Sequence, residues 1–183
     1  VCFDITPYIK AGENLLALCV DNSHQPDIPP LAADFTFFGG IYRDLYLIQT
    51  APNHITTTHY ASSGVYLKTP HVDRQQATVE IRTLLTNNRP SREDLWLEHT
   101  VVSPSGELVA TTKSPIDTRQ KELQMDATVR IPDPELWSAA SPRLYPVPPQ
   151  AVAGTGPDRG CALNPPGLAR AGCDPSNGVF PTG

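Results

Sequence analysis

At 183 residues, 39% of them hydrophobic and with a net charge of −5, the chain can bury one or two cores and carries no basic patch for a nucleic-acid backbone. No apolar run approaches the length that spans a bilayer, so neither nucleic acid nor membrane is an expected partner. The acid excess sits in residues 1–50, where Lys10 and Arg43 stand against Asp4, Glu13, Asp21, Asp27, Asp34 and Asp44.

The chain starts in a strand-like segment, Val1 to Ile5, with no initiator methionine and no signal-peptide pattern, as expected of an internal piece of a longer protein. Phe3–Tyr8 leads into a turn at Lys10-Ala11-Gly12-Glu13-Asn14. Leu16, Leu18 and Val20 then alternate with Leu15, Ala17, Cys19 and Asp21, a strand apolar on both faces and expected between two layers. Pro26, Pro29 and Pro30 forbid regular structure and set a stiff surface loop. The loop ends in Ala33-Asp34-Phe35-Thr36-Phe37-Phe38-Gly39-Gly40, an acid and three phenylalanines before a Gly-Gly pair that permits a sharp or positive-φ path. Ile41, Arg43, Leu45 and Leu47 alternate with Tyr42, Asp44, Tyr46 and Ile48, the period of a further strand. An acid beside aromatic rings suits a sugar, whose hydroxyls donate to the carboxylate while ring faces cover its C–H face.

From residue 51 the character changes. Short strands are predicted at Ile55–Tyr60, Val65–Thr69, Ala77–Asn87, Leu95–Val102, Glu107–Thr112 and Lys121–Ile131. In the last, Leu123, Met125, Ala127, Val129 and Ile131 form one face and Glu122, Gln124, Asp126, Thr128 and Arg130 the other. Ala77, Val79, Ile81 and Thr83 form a similar inward face against Thr78, Glu80 and Arg82. Ser103-Pro104-Ser105-Gly106 is a turn between two of the strands. Many short strands in about 95 residues, with no helical periodicity, predict an immunoglobulin-like sandwich over 51–145. Residues 146–183 hold eight Pro and seven Gly, with Phe180 the only aromatic, and are expected to form a disordered or out-of-frame tail.

Three passages resemble glycoside hydrolase family 2, the β-galactosidase and β-glucuronidase family, in the family's order over about residues 1–145. They are F-D-I-T-P-Y-I-K-A-G-E-N-L-L-A-L-C-V-D-N-S, then the acid and aromatics with G-G-I-Y-R-D, then P-E-L-W-S with S-P-R-L-Y at Pro134–Tyr145. The resemblance implies an all-β chain: the end of a sugar-binding jelly-roll sandwich over 1–50, an immunoglobulin-like β-sandwich over 51–145, and a tail over 146–183. It further implies a piece of a retaining, β-galactosidase-like glycosidase whose catalytic (β/α)8 barrel is the missing partner and whose complete form acts on a carbohydrate substrate. A periplasmic or extracellular setting is favoured over the cytoplasm. A free-standing carbohydrate-binding module, or a structural spacer, is the competing reading.

In the related enzymes the acid of this loop reaches substrate hydroxyls, and in some it helps hold a sodium ion. The resemblance carries that substrate-binding role to Asp34, with Phe35, Phe37 and Phe38 as a ring platform; the bland alternative for Asp34 is a loop acid capping backbone amides. Beyond that possible sodium near Asp34, no cofactor and no metal site are expected. Arg43 and Asp44 are expected in structural ion pairing, and Trp137 and Tyr145 in packing at a domain boundary. His54, His59, His71 and His99 are expected at surface or half-buried sheet positions, and His24 in the loop before Asp34 alone has a route to a ligand. Cys2 and Cys19 read as small buried hydrophobes rather than a bridge, and Cys161 and Cys173 lack zinc-site spacing. Retaining glycosidases need two carboxylates roughly 5–5.5 Å apart. Glu13, Glu80, Glu93, Glu98, Glu107, Glu122 and Glu135 fall in turns or on wet strand faces, so no catalytic residue is expected here.

Overall fold

The computed structural model describes residues 1–23, 25–27, 38–41, 43–89, 95–153 and 170–172, with the side chains of 149–153 and 170–172 left aside. Two compact units emerge: Asp4–Ile48, and Val1–Phe3 with Gln49–Gly183.

In the unit Asp4–Ile48 the described backbone forms one 3-10 turn, Thr6–Tyr8, and no strand. Pro7 suits that turn's start, and the Asp4 carboxylate accepts from the Thr6 N–H at 2.9 Å. The turn expected after it is present. The Asn14 side chain accepts from the Lys10 N–H at 2.9 Å and donates to the Lys10 and Gly12 carbonyls, while Gly12 takes φ +94°. Among the described residues of Val1–Ile5, Leu15–Asp21 and Ile41–Ile48, where strands are expected from the sequence, none is in a strand. Leu15 is 97% exposed and Leu47 79%, and Cys19, expected to be buried, is exposed. Alternation alone does not make a strand: each backbone N–H and C=O needs a partner on a neighbouring strand, and among the described residues no strand pairs with these segments.

From Gln49 onward the chain is a β-sandwich. Strands β1 (Asn53–Ile55), β2 (Val65–Val72), β3 (Gln76–Asn87) and β6 (Glu122–Pro132) form one antiparallel sheet. β6 pairs with Gln76–Thr86 of β3, β2 with Ala77–Thr83 and β1 with Leu85–Asn87. A strand has two edges, so β6 runs along one edge of β3 while β2 and β1 share the other. The second sheet orders β5 (Leu108–Ile116), β4 (Leu95–Val102) and β8 (Pro149–Ala153), and β7 (Leu144–Pro146) pairs with β9 (Arg170–Gly172). The expected turn joins β4 to β5: the Gly106 N–H donates to the Ser103 carbonyl at 3.0 Å, Pro104 sits second and Gly106 takes φ +93°.

One core fills the sandwich. Ala77, Val79, Ile81 and Leu85 of β3 with Val129 and Ile131 of β6 meet Leu97 and Val101 of β4, and Ile55, Val65, Tyr145 and Val147 complete it. Each fully buried aliphatic side chain stabilises the sandwich by about 1.5–3 kcal/mol. The odd-numbered inward face of β3 predicted from alternation is the one observed. His99 departs from expectation: it is 1% exposed, in the core, and its Nε2 shares a 2.7 Å hydrogen bond with the buried Thr83 hydroxyl. Thr83 belongs to the first sheet and His99 to the second, so this bond crosses between the layers. Desolvation holds the His99 pKa down to about 4, keeping the imidazole neutral.

The sandwich also continues beyond the boundary expected at residue 145. Val147 is buried, and Pro149–Ala153 pairs with Leu95–His99. Pro149 is the first residue of an edge strand, where a missing N–H costs no ladder bond. A proline-rich composition therefore concealed a strand. The stretches 154–169 and 173–183, with Cys161 and Cys173, lie outside the described residues.

Candidate functional site

Asp34, Phe35 and Phe37, three of the four residues expected to contact sugar, lie outside the described residues, as do His24, Tyr42 and Glu93. The described flank of that loop has the geometry the sequence predicts. Phe38 is 81% exposed, and Gly40 takes φ +93°, a conformation side chains with a Cβ rarely adopt. At Gly39 an added Cβ would come within 2.9 Å of the Asn22 amide, so the glycine leaves room for that side chain. On the far flank Asp21 accepts from the Ser23 N–H at 2.8 Å, and that bond lowers the Asp21 pKa, keeping it a carboxylate. Asp44 accepts a 2.9 Å hydrogen bond from the Tyr46 hydroxyl.

The phrase Pro134–Tyr145 closes on itself. The Tyr145 hydroxyl accepts from the Glu135 N–H at 2.7 Å, the Arg143 guanidinium lies 3.4 Å from the Glu135 carboxylate, and Ser138 pairs with Ser141. Tyr145 is buried in the core and Leu136 packs against it. This is a structural clasp at the sandwich's end rather than a sugar platform.

Of the histidines, His71 Nε2 lies 3.0 Å from the Asp73 carboxylate and His54 Nδ1 2.9 Å from the Ala51 carbonyl. Asp73 also accepts from the N–H groups of Gln76 and Gln75, and these bonds hold its pKa below the usual carboxylate value. His59 joins a cluster that its sequence position did not reveal. Its Nδ1 lies 2.5 Å from the Tyr66 hydroxyl, itself 2.8 Å from Ser62 Oγ, and Ser62 Oγ donates to the His59 carbonyl at 2.7 Å. The link spans a turn and a strand start. Gly64 is obligatory there: it has φ +72°, and a Cβ would lie 2.4 Å from the Thr56 carbonyl oxygen.

None of the described glutamates is buried. Among the described residues no group of three or more His, Cys, Asp or Glu side chains converges as metal ligands.

Residues 61–150 match the sequence profile of the glycosyl hydrolases of family 2. The chain is 32% identical to a β-galactosidase of Bacteroides ovatus over 145 residues, covering 78% of this chain and 16% of that enzyme. It is 33% identical to a β-glucuronidase of Bacteroides fragilis over 189 residues, covering 99% of this chain and 26% of that enzyme. The fold matches Bacteroides uniformis β-glucuronidase 2, solved covalently bound to cyclophellitol-6-carboxylate aziridine, with a TM-score of 0.78 at 34% identity; the match covers 93% of this chain and 20% of that one. The chain thus spans between 16% and 26% of the length of these relatives. With an all-β sandwich, the self-closing Pro134–Tyr145 clasp and these matches in agreement, the chain belongs to the glycosyl hydrolases of family 2.

Proposed function

We propose that this chain is the accessory part of a retaining β-glycosidase of the β-galactosidase or β-glucuronidase type, with the bond-breaking glutamates on a catalytic barrel beyond it. In that reading residues 1–50 end a sugar-binding jelly roll, the sandwich from residue 51 is a spacer, and Asp34 with Phe35, Phe37 and Phe38 reaches substrate hydroxyls. The observation that carries it is the fold match over 93% of this chain against 20% of a β-glucuronidase. The exposure of every described glutamate but the half-buried Glu98 supports it, because a retaining mechanism needs one carboxylic acid at the leaving oxygen and one carboxylate at the anomeric carbon. A covalent adduct, as in the Bacteroides uniformis enzyme, is what such a nucleophile forms. Asp34 orients the sugar but cannot cleave it.

The 183-residue chain is expected to leave nitrophenyl β-galactoside, β-glucuronide and β-mannoside intact. Joined to a family barrel, Asp34→Asn lowers turnover or raises KM with the unfolding midpoint unchanged. Hydrolysis by the chain alone that disappears when one of its carboxylates is changed overturns the reading. So does an Asp34→Asn variant whose only defect is unfolding.

A further inference from the structure

We propose that the outward face of the sheet at Tyr66, Arg82 and Asp126, together with the His59–Tyr60 turn, is a binding site for a neutral glycan. The choice of glycan as the ligand class rests on the glycosidase reading above; the site itself rests on geometry.

The turn is strained in a way that displays an aromatic ring. The Ser62 N–H donates to the His59 carbonyl at 3.1 Å, and between them Tyr60 and Ala61 take φ +54° and +52°. Positive φ at both central positions is the pattern of a type I′ turn, which Asn-Gly fills at little cost. A Tyr-Ala pair pays a steric penalty there, and strain of this kind persists where the displayed side chain is used. Here that side chain is a tyrosine 89% exposed to solvent.

The ring is also held. His59 meets it edge-on, with centroids 4.5 Å apart and planes at 73°. His59 is fixed in turn through Tyr66 and Ser62. The single Ser62 hydroxyl proton goes to the His59 carbonyl, so Tyr66 donates to Ser62, and the Nδ1–H of His59 donates to Tyr66. In the neutral ring this leaves Nε2 as an acceptor with no partner among the described residues.

Tyr66 leads across the sheet. In register it lies opposite Arg82, and Arg82 opposite Asp126, on the wet side of a strand whose Ile81 and Thr83 are buried. Arg82 Nε donates to Asp126 Oδ1 and Gln124 Nε2 to Asp126 Oδ2, each at 2.9 Å. Both members of the ion pair remain more than half exposed. A ring face, an imidazole acceptor, a phenol, a guanidinium edge and a carboxylate thus follow one another across the sheet, in two groups each fixed by its own contacts before any ligand arrives. Rings for C–H faces and mixed donors and acceptors are what a hydroxylated ligand needs. Charge selects among such ligands. Lys68, Arg82 and Arg130 on this face are matched by Glu80, Glu122 and Asp126, so no field favours a uronate, a phosphate or a nucleic acid.

The test is ligand-observed NMR on the 183-residue chain with β-1,4-galactotetraose, and with an oligoglucuronate as the charged comparator. Saturation transfer to the galactotetraose is expected, with weaker transfer to the oligoglucuronate. Tyr60→Gly should weaken binding by about fivefold or more while raising the unfolding midpoint, because it removes both the ring and the strain. Loss of binding in a more stable protein cannot be misfolding. Arg82→Ala should weaken it too, and binding lost on Tyr60→Gly with Asp34 intact separates this site from the proposed substrate loop. Absence of transfer to either glycan overturns the proposal. Undiminished binding by Tyr60→Gly overturns it as well, as does self-association that this variant abolishes, which would make the turn a protein contact.

Discussion

Leu15–Val20 and Leu123–Ile131 both read as strands in the sequence, and their side chains meet opposite fates. In the second, Val129 and Ile131 are buried and Leu123, Met125 and Ala127 pack against the same core, because β3 supplies a hydrogen-bonding edge and β4 an opposing apolar layer. In the first, Leu15, Leu16, Leu18 and Val20 all face solvent, with no strand paired along them among the described residues. Local pattern proposes a strand, and a neighbouring strand with a facing layer is what makes it one. Exposed apolar stretches of this extent are interaction surfaces or aggregation sites.

The largest effect that sharpens this contrast is a truncation within the packed layers. Leu97→Ala removes a side chain with no exposed surface and should destabilise the sandwich by about 2–5 kcal/mol, read as a lower midpoint in urea. An unchanged midpoint would mean the two sheets are not packed as described.

Next in size is the histidine that bridges the layers. Folded, His99 is held neutral with a pKa of about 4, while in the unfolded chain it titrates near its ordinary 6.5. Between those values the unfolded state binds a proton that the folded state refuses. Stability is therefore full above pH about 6.5, falls as the pH drops towards about 4, and loses about 3 kcal/mol before levelling off. Subtracting the unfolding free energies of His99→Gln, measured at each pH, should leave this slope as the difference. Parallel curves for the two proteins would remove His99 from the core.

The smallest effect lies in the other region. Leu16→Asp should shift the midpoint by less than about 0.5 kcal/mol and raise the fraction of chain recovered in solution. If it costs as much as Leu97→Ala, residues 4–48 are packed and the contrast collapses.

Much of the sandwich was legible because two independent signals coincide there. Alternation gives the inward face of β3 and β6, and Ser103–Gly106 gives a place where the chain must reverse. The expected starts and ends of β3 and β4 fall within a residue of those observed. Less of the candidate site could be read. Gly40 announced its positive φ, since few other residues tolerate it, and Phe38 its exposure beside a stiff loop. The His59–Ser62–Tyr66 cluster could not be announced, because a hydrogen-bonded ring of side chains leaves no period or spacing in a sequence.

Class of fold, the inward positions of the long strands, the turns and the family resemblance were all present in the order of residues, since each depends on neighbours a few positions apart or on a matched run of them. Which alternating segments become strands, that His99 lies in the core and titrates low, that a proline-rich stretch supplies an edge strand at Pro149–Ala153, and that Tyr66, Arg82 and Asp126 form one row were decided only by the tertiary structure. Hydrogen-bonding edges, desolvation and cross-strand register are set by what lies opposite a residue in space, and residues 16 positions apart, as Thr83 and His99 are, become neighbours only when two sheets close on each other.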